Sequence, residues 1–425
     1  MNKVAIIGFG AAGYNGAKEV RRLSPGAVID IYSDTGIGPY NPMLTTYYVK
    51  EAIPYGALFP FGSLEEVCSK LNLNFYKNRP VAGIIPEEKT LCFADGSRAR
   101  YDQILISTGA SALMPPIPGL DQPGVFKMRT AEDAVHLKGM LDAKTVKNGL
   151  VIGASWVGIK IVEDLVNRNI PCTLIDGADR MFCTAAFEQT AERAKKDLEA
   201  RGVAVRCGQM LSHILREPDG SLTAVMQNGS RFTADAIAVC IGVSMNVEFL
   251  RGSGIALNRG ILVNRRMETN YKGVYAAGDC CEALDTQSGT HRNIGLWYNA
   301  VEQGRVAGAN MAGKNCEFGT NVLVNLAHYL DYDFISIGDL SSCGDQDEIY
   351  EYEDSRHYIC GVRNGKNVKC INIIGAADSS GIVKNAFIKS IENPDAGMSI
   401  QTICFLKEKG FPDDFINFLG GRILD

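Results

Sequence analysis

Three observations predict an α/β protein with two Rossmann-like three-layer domains and a smaller α+β domain towards the C-terminal end. Two glycine-rich turns, Gly8-Phe9-Gly10-Ala11-Ala12-Gly13 and Gly153-Ala154-Ser155-Trp156-Val157-Gly158, lie about 145 residues apart in a chain of 425. Each follows a short apolar run of the buried-strand kind and opens a helical stretch. From about residue 319 the pattern changes, and Phe334 to Gly338, Arg356 to Val362 and Val368 to Gly375 read as successive antiparallel strands.

The first turn is preceded by Val4-Ala5-Ile6-Ile7 and followed by a helix expected over Ala11 to Leu23. Gly8 allows the tight turn, Gly10 lets the backbone approach a pyrophosphate, and Gly13 lets the helix pack on the strand. The amides of the helix N-terminus, including those of Ala11 and Ala12, then face the phosphates. The next apolar run, Val28 to Tyr32, ends in Ser33-Asp34, where an acid is expected to take ribose hydroxyls, here displaced by one position.

The second turn repeats this grammar. Gly149 to Ile152 supply the strand, Gly158 to Arg168 the helix, and Cys172 to Ile175 a second strand with Asp176 at its end. A carboxylate there favours a free 2′-hydroxyl over a 2′-phosphate, so NADH is expected rather than NADPH. Ser155 replaces the middle glycine, so a pyrophosphate sits further out or accepts a hydrogen bond from the hydroxyl. The alternative is a unit kept only for packing. One such site binds a nucleotide; two imply that electrons pass between dinucleotides.

Between and after the turns lie further pieces in a specific order. Tyr101 to Ile106 read as a buried strand ending in Ser107-Thr108-Gly109-Ala110, and the proline-rich stretch Met114 to Gly119 reads as a crossover between domains. Asp235 to Gly242 have the same form at the end of the second domain. Thr269 to Asp279 form another strand that delivers Gly278 and Asp279 to a turn.

Composition narrows the function class. At 46% hydrophobic and 21% charged, the chain can bury two or three cores. A net charge of −5 with mixed signs and no basic run argues against nucleic acid and anionic membranes as partners. No apolar stretch approaches a membrane span, and the chain enters a strand at once, so a cytoplasmic protein is expected. Thirteen cysteines are scattered without a CxxC, so no metal site is expected and most should be buried small hydrophobes.

In this order the motifs resemble the FAD-dependent pyridine nucleotide–disulfide oxidoreductase superfamily, over nearly the whole chain. The resemblance implies that Gly8 to Gly13 hold the FAD pyrophosphate, Gly153 to Gly158 hold NADH, and Gly278 with Asp279 bind the ribityl and pyrophosphate region. It implies an FAD domain over 1–115 and 246–318, an NAD(H) domain over 116–245, and an interface domain over 319–425 that makes a homodimer. The turn Thr108-Gly109-Ala110 and Gly242 fall at coenzyme-facing positions. Arg129 to Ala134 look like the start of the NAD domain. The stretch Ile294 to Ala300 resembles the helix that approaches the flavin pyrimidine, which makes Trp297 either a flavin or nicotinamide contact or a packed core tryptophan.

What is missing points to a branch. Disulfide reductases and NADH oxidases of the superfamily carry reactive cysteine in the stretch that here reads Gly38-Pro39-Tyr40-Asn41-Pro42-Met43-Leu44-Thr45-Thr46-Tyr47-Tyr48. Without a thiolate there is no thiol relay beside the flavin. The stretch is similar to the Tyr-Asn-Arg-Pro-x-Leu-Ser-Lys segment of rubredoxin and ferredoxin reductases, with the arginine absent and Thr45-Thr46 in place of Ser-Lys. Family members pair that lysine with a glutamate two residues after the last turn glycine; here the positions read Thr46 and Lys160. A lone ammonium near flavin N5 would favour reduced flavin and hold an anionic substrate; turned to solvent, Lys160 would do neither. Cys280-Cys281 are expected at a helix N-terminus, either redox-active or structural.

The expectation is therefore an FAD-dependent NAD(P)H oxidoreductase that passes electrons to a small redox protein such as rubredoxin or ferredoxin. Two other readings stay open: a flavin reductase or dehydrogenase acting directly on a small, anionic organic molecule, and an FAD-binding module without catalysis.

Overall fold

The computed structural model describes residues 2–421 except Thr320, Ala376 and Ala396, so Met1 and the last four positions of the expected C-terminal domain lie outside it. The chain first lays down a five-stranded sheet, in the order Val274–Ala276, Gln103–Ile106, Lys3–Ile7, Val28–Tyr32, Asn74–Tyr76, with every neighbouring pair parallel. Parallel strands covered on both faces need continuous apolar runs, and Val4, Ala5 and Ile6 are wholly buried. On one face lie the helices Ala11–Leu23, as expected, and Trp297–Met311. The antiparallel meander Val81–Ile85, Thr90–Phe93, Arg98–Arg100 packs into the same core.

The second sheet repeats the plan: Ala204–Arg206, Cys172–Ile175, Gly149–Ile152, Ala236–Val239 and Val125–Phe126, again all parallel. Its two faces show the period-two rule of a strand. Val151, Leu174 and Ala238 join the helix-side core with Ile159, Val162 and Leu198. Leu150, Ile152, Ile175, Ile237 and Val239 face the meander Leu211–Arg216, Leu222–Met226, Arg231–Ala234.

The two connections between these units pair with each other. Ala110–Ala112 and Val243–Met245 form an antiparallel ribbon, and Thr108 and Asn246 exchange hydrogen bonds at 2.7 and 2.9 Å. The proline-rich crossover is docked too: the Ile214 amide donates to the Pro118 carbonyl at 2.9 Å, and Leu120 is buried in the meander core.

The C-terminal unit is α+β. Its five strands are all antiparallel, in the order Val324–Tyr329, Tyr332–Gly338, Asn367–Ile374, Tyr358–Asn364, Glu348–Glu353. The three expected runs are strands, but they are not neighbours in sequence order: the last lies between the other two. The edge strands, VNLAHY and EIYEYE, mix polar and apolar residues and carry no continuous apolar run. One face of the sheet packs Ile335, Ile359 and Ile373 against Phe387, Phe415 and Phe418 from the helices Ser380–Glu392 and Asp413–Phe418. The other face closes the second domain. Phe334 and Tyr329 belong to that domain's core, and Ser336 and Asn372 donate to the Ala185 carbonyl at 2.7 and 2.9 Å.

The first sheet's two helices touch through glycine. A Cβ at Gly304 would overlap the backbone carbonyl of Ala12, and backbone cannot yield as a side chain can. Replacing Gly304 with alanine is expected to cost about 1–3 kcal/mol of stability. Gly26→Ala, where nothing lies within 4 Å, should leave the melting temperature unchanged. Calorimetry on the two variants measures both, and equal melting temperatures would refute the steric account.

Candidate functional site

At the first turn, internal packing explains two of the three glycines. Gly8 has φ +89° and its missing Cβ would overlap the Ser107 carbonyl, while a Cβ at Gly13 would overlap the Gly8 carbonyl. Gly10 differs: its φ is −81° and nothing lies within 4 Å of a Cβ there. The protein's own packing makes no demand for glycine at that position, which leaves an open backbone cradle where a ligand could come close. The amides of Ala11, Ala12 and Gly13 sit in the first helical turn, which has no intrahelical partners to offer them.

The turn after Val274–Ala276 comes to the same place. Gly278, with φ +83°, would touch the Ala12 Cβ at 3.1 Å, and its amide donates to Gln303 Oε1 at 2.8 Å. Asp279 is held by Arg129 at 2.5 Å, and Arg129 Nε also donates to the Ala110 carbonyl at 3.0 Å. Arg129 thus ties the start of the second domain to the Gly109-Ala110 turn and to Asp279, a role its motif did not announce. Gly109 adopts φ +67°. At the strand end, Ser33 is buried with its hydroxyl turned to Thr35, and Asp34 is exposed. Asp30, two residues before the strand's end, is committed to Tyr101 and Asn74, both at 2.8 Å.

Trp297 opens the helix Trp297–Met311 and stacks on Phe61, with ring centres 6.1 Å apart. Its indole Nε1 is a buried donor without a partner among the described residues. A buried unpaired donor is costly, and a ring edge bearing polar atoms would satisfy it. The open cradle at Gly10 and this donor together fit a flavin dinucleotide.

The second turn also fits a dinucleotide, with two corrections. Gly153 has φ +107° under the Cys240 carbonyl, and Gly158 has no room for a Cβ against Gly153. Ser155 caps the helix, accepting from the Gly158 amide at 3.3 Å and donating to the Cys240 carbonyl at 2.9 Å. Its one proton is spent, so it offers no hydrogen bond to a phosphate, and the amides of the helix N-terminus remain as donors. Trp156 does not face this turn's open side. It packs between Phe182 and Phe334, at 4.8 and 5.0 Å, because the C-terminal sheet offers it an aromatic bed. Asp176 accepts from Ala154 and Ala178 amides at 2.6 and 2.7 Å, which pins its carboxylate beside the turn. Val157, Leu113, Ile241 and Val243 remain exposed around it, and Gly242 has φ +123°.

Lys160 is not a lone ammonium. It pairs with Glu163, donates to the His328 carbonyl at 2.7 Å and lies 4.8 Å over the Tyr47 ring. Glu163 also receives Lys50 at 3.2 Å and the Leu330 amide at 3.0 Å. The ammonium expected to stand alone is paired: Glu163, one helical turn on from Lys160, takes both Lys160 and Lys50. Thr46 is buried in the helix Thr45–Val49, where its carbonyl accepts the Lys50 amide. Burial lowers the Lys160 pKa. Beside this cluster Asp164 is wholly buried, and neither carboxyl oxygen has a partner among the described residues.

The paired cysteines need correction as well. Cys281–Leu284 is a strand, not a helix, since the chain pairs with Ile261–Leu262. Both thiols are buried, and burial pushes their pKa up rather than down. They are packing residues, with Sγ atoms directed at backbone carbonyls.

A family model described as pyridine nucleotide-disulphide oxidoreductase matches residues 2–304. The NADH oxidase of Methanocaldococcus jannaschii is 28% identical over 321 residues, 74% of this chain and 71% of that one. The rubredoxin-NAD(+) reductase of Pseudomonas putida is 26% identical over 317 residues, 73% of this chain and 80% of that one. Among solved structures, a NAD-dependent persulfide reductase from A. fulgidus shares the fold, with a TM-score of 0.83 at 21% identity over 96% of this chain and 84% of that one.

Asp164 generates a pH prediction. Desolvation, reinforced by the Glu163 charge, holds its carboxyl well above the usual range, outweighing Lys160, Arg168 and Lys50. A raised folded-state pKa means that the folded protein keeps a proton which the unfolded chain releases above about pH 4. Stability from this group is therefore complete below that pH and is lost as pH rises towards the folded value, by up to about 1.4 kcal/mol per pH unit. Asp164→Asn should melt above wild type by a margin that widens as pH rises above the ordinary carboxylate range of about 4. A margin constant with pH in parallel melts would refute the protonated state.

Proposed function

Since this chain belongs to the pyridine nucleotide-disulphide oxidoreductase family, as a FAD-dependent NAD(P)H oxidoreductase, we propose that it takes hydride from NADH and delivers electrons to a small redox carrier of the rubredoxin or ferredoxin kind. FAD lies on Gly8 to Gly13, with Ser33 and Asp34 towards its ribose, Thr108 to Ala110 and Gly278-Asp279 along the chain, and Trp297 at the ring. NADH lies on Gly153, Val157 and Gly158, with Asp176 at its ribose and Gly242 beside it. The FAD domain is 1–115 with 246–318, the NADH domain 116–245, and 319–425 an interface domain of a cytoplasmic homodimer.

The observation that carries this reading is the thiol-free segment between the two coenzyme sites. The stretch from Gly38 to Tyr48 folds as Pro42–Leu44 and Thr45–Val49, against the second domain's helices, and holds no cysteine. Electrons then leave by direct transfer to an acceptor rather than through a dithiol. The relative named rubredoxin-NAD(+) reductase supports the carrier. A direct reductase of a small anion has less support, because the ammonium that would hold the anion is already engaged by Glu163 and the His328 carbonyl.

When bound, the coenzymes supply hydride transfer and onward electron delivery. The chain supplies placement. Glycine turns and helix amides hold the pyrophosphates, the Asp176 carboxylate repels a 2′-phosphate, and Arg129 fixes Asp279 across the domain boundary. The Tyr14, Phe61 and Trp297 rings stack in a row, at 4.0 and 6.1 Å.

Anaerobic mixing with NADH should bleach the flavin band, with kcat/KM at least about tenfold above NADPH, equivalent to about 1.4 kcal/mol. Added rubredoxin should then be reduced catalytically, and Asp176→Ala should narrow the coenzyme preference. FAD-loaded protein that NADH leaves oxidised would sink the proposal; bleaching without rubredoxin turnover would sink only its carrier half.

A further inference from the structure

We propose that Glu163 is a positioning residue for electron transfer between the two coenzyme halves, acting through Lys50 and Lys160. The inference rests on the function proposed above and concerns how the chain fixes the separation of the two sites.

The helix Thr45–Val49 is encoded within the first half but packed into the second. Val49 is wholly buried in the second domain's helix-side core, and its carbonyl accepts Arg168 Nη2 at 2.7 Å. What locks the helix end is Glu163. One carboxylate oxygen receives Lys50 at 3.2 Å and the Leu330 amide at 3.0 Å; the other receives Lys160. Lys160 in turn donates to the His328 carbonyl at 2.7 Å. Three elements meet on one side chain: the segment between the coenzyme sites, the helix that begins at the second glycine turn, and the hairpin turn after the first strand of the C-terminal sheet.

Burial decides how much this arrangement matters. The Glu163 side chain is 3% exposed and those of its two lysines 16% and 11%, so solvent screens these charges little. Removing the carboxylate charge leaves two buried ammoniums facing one another, and like charges in a poorly screened site push their elements apart. Glu51, the residue after Lys50, pairs with Lys138 of the helix Ala131–Asp142 through a side chain that is 65% exposed, and it is the natural control, because a solvated carboxylate contributes little. Hydride transfer is steeply sensitive to donor–acceptor placement, and misplacement by about 1 Å can cost about 100-fold.

The test is rapid anaerobic mixing of FAD-loaded enzyme with NADH, reading the limiting rate of flavin bleaching and the NADH concentration at half-maximal rate. For Glu163→Gln the limiting rate should fall by about 10- to 100-fold, while half-saturation moves less than about twofold and flavin content is retained. Glu163→Asp, which keeps the charge on a shorter stem, should recover part of the rate. Glu51→Gln should match wild type. Should Glu163→Gln not fold, Lys50→Gln removes one leg of the cluster and should slow bleaching with the same signature.

A limiting rate within twofold of wild type overturns the inference. So does a Glu163→Asp variant no faster than Glu163→Gln, or a loss matched by lost flavin. Wild-type protein that holds FAD but is not bleached by NADH overturns the underlying reading, and the inference with it.

Discussion

The structure depends on a constraint of connectivity: the chain completes its first sheet only after building the whole of its second. Val274–Ala276 must pair with Gln103–Ile106 after the intervening domain has formed. Closing so long an excursion costs chain entropy, though the cost grows only slowly with length. The ribbon of Ala110–Ala112 with Val243–Met245 brings the outgoing and returning chains together at the boundary. From there the returning segment supplies the Gly278 turn, the helix of Trp297 and the glycine contact of Gly304 with Ala12. The first coenzyme cradle thus exists only because the second domain has been closed off.

Charges around the domain boundary are partnered rather than isolated. Arg129 is matched by Asp279, Lys50 and Lys160 share Glu163, and Arg292 meets Asp339 and Asp285. Such matching suits a protein whose coenzymes bring the reactivity, since an unpaired buried charge would cost more than it contributes. Asp164 is the exception: it is buried without a charged partner at hydrogen-bond distance among the described residues, and desolvation holds its carboxyl well above the usual range.

Much of this was legible in the sequence where sterics leave few choices. Gly8, Gly13, Gly153 and Gly158 are dictated by backbone contacts, and the apolar runs beside them by burial on both faces, so turns, strands and the family resemblance followed. The cluster around Glu163 was not legible, because a glutamate and a lysine on short helices look like a solvated face. The charged pair Glu163-Asp164 inside the apolar run Ile161 to Leu165 was a signal that went unread. Trp156 was misplaced because its neighbours come from Phe334, far along the chain, and local pattern carries no record of that. The cysteine pair was misplaced because strand pairing with Ile261–Leu262 overrode the expected helix.

The bed that Phe334 makes for Trp156 bears on how such proteins are taken apart. The helix that begins at the second glycine turn carries on its surface the contacts that seat the C-terminal sheet: Trp156 against Phe334, Lys160 on the His328 carbonyl and Glu163 on the Leu330 amide. Module boundaries drawn between domains would cut through this seam. A chimera that exchanged the C-terminal unit alone would leave an indole and two charges without their counterparts, so the transferable piece is the helix and the sheet together.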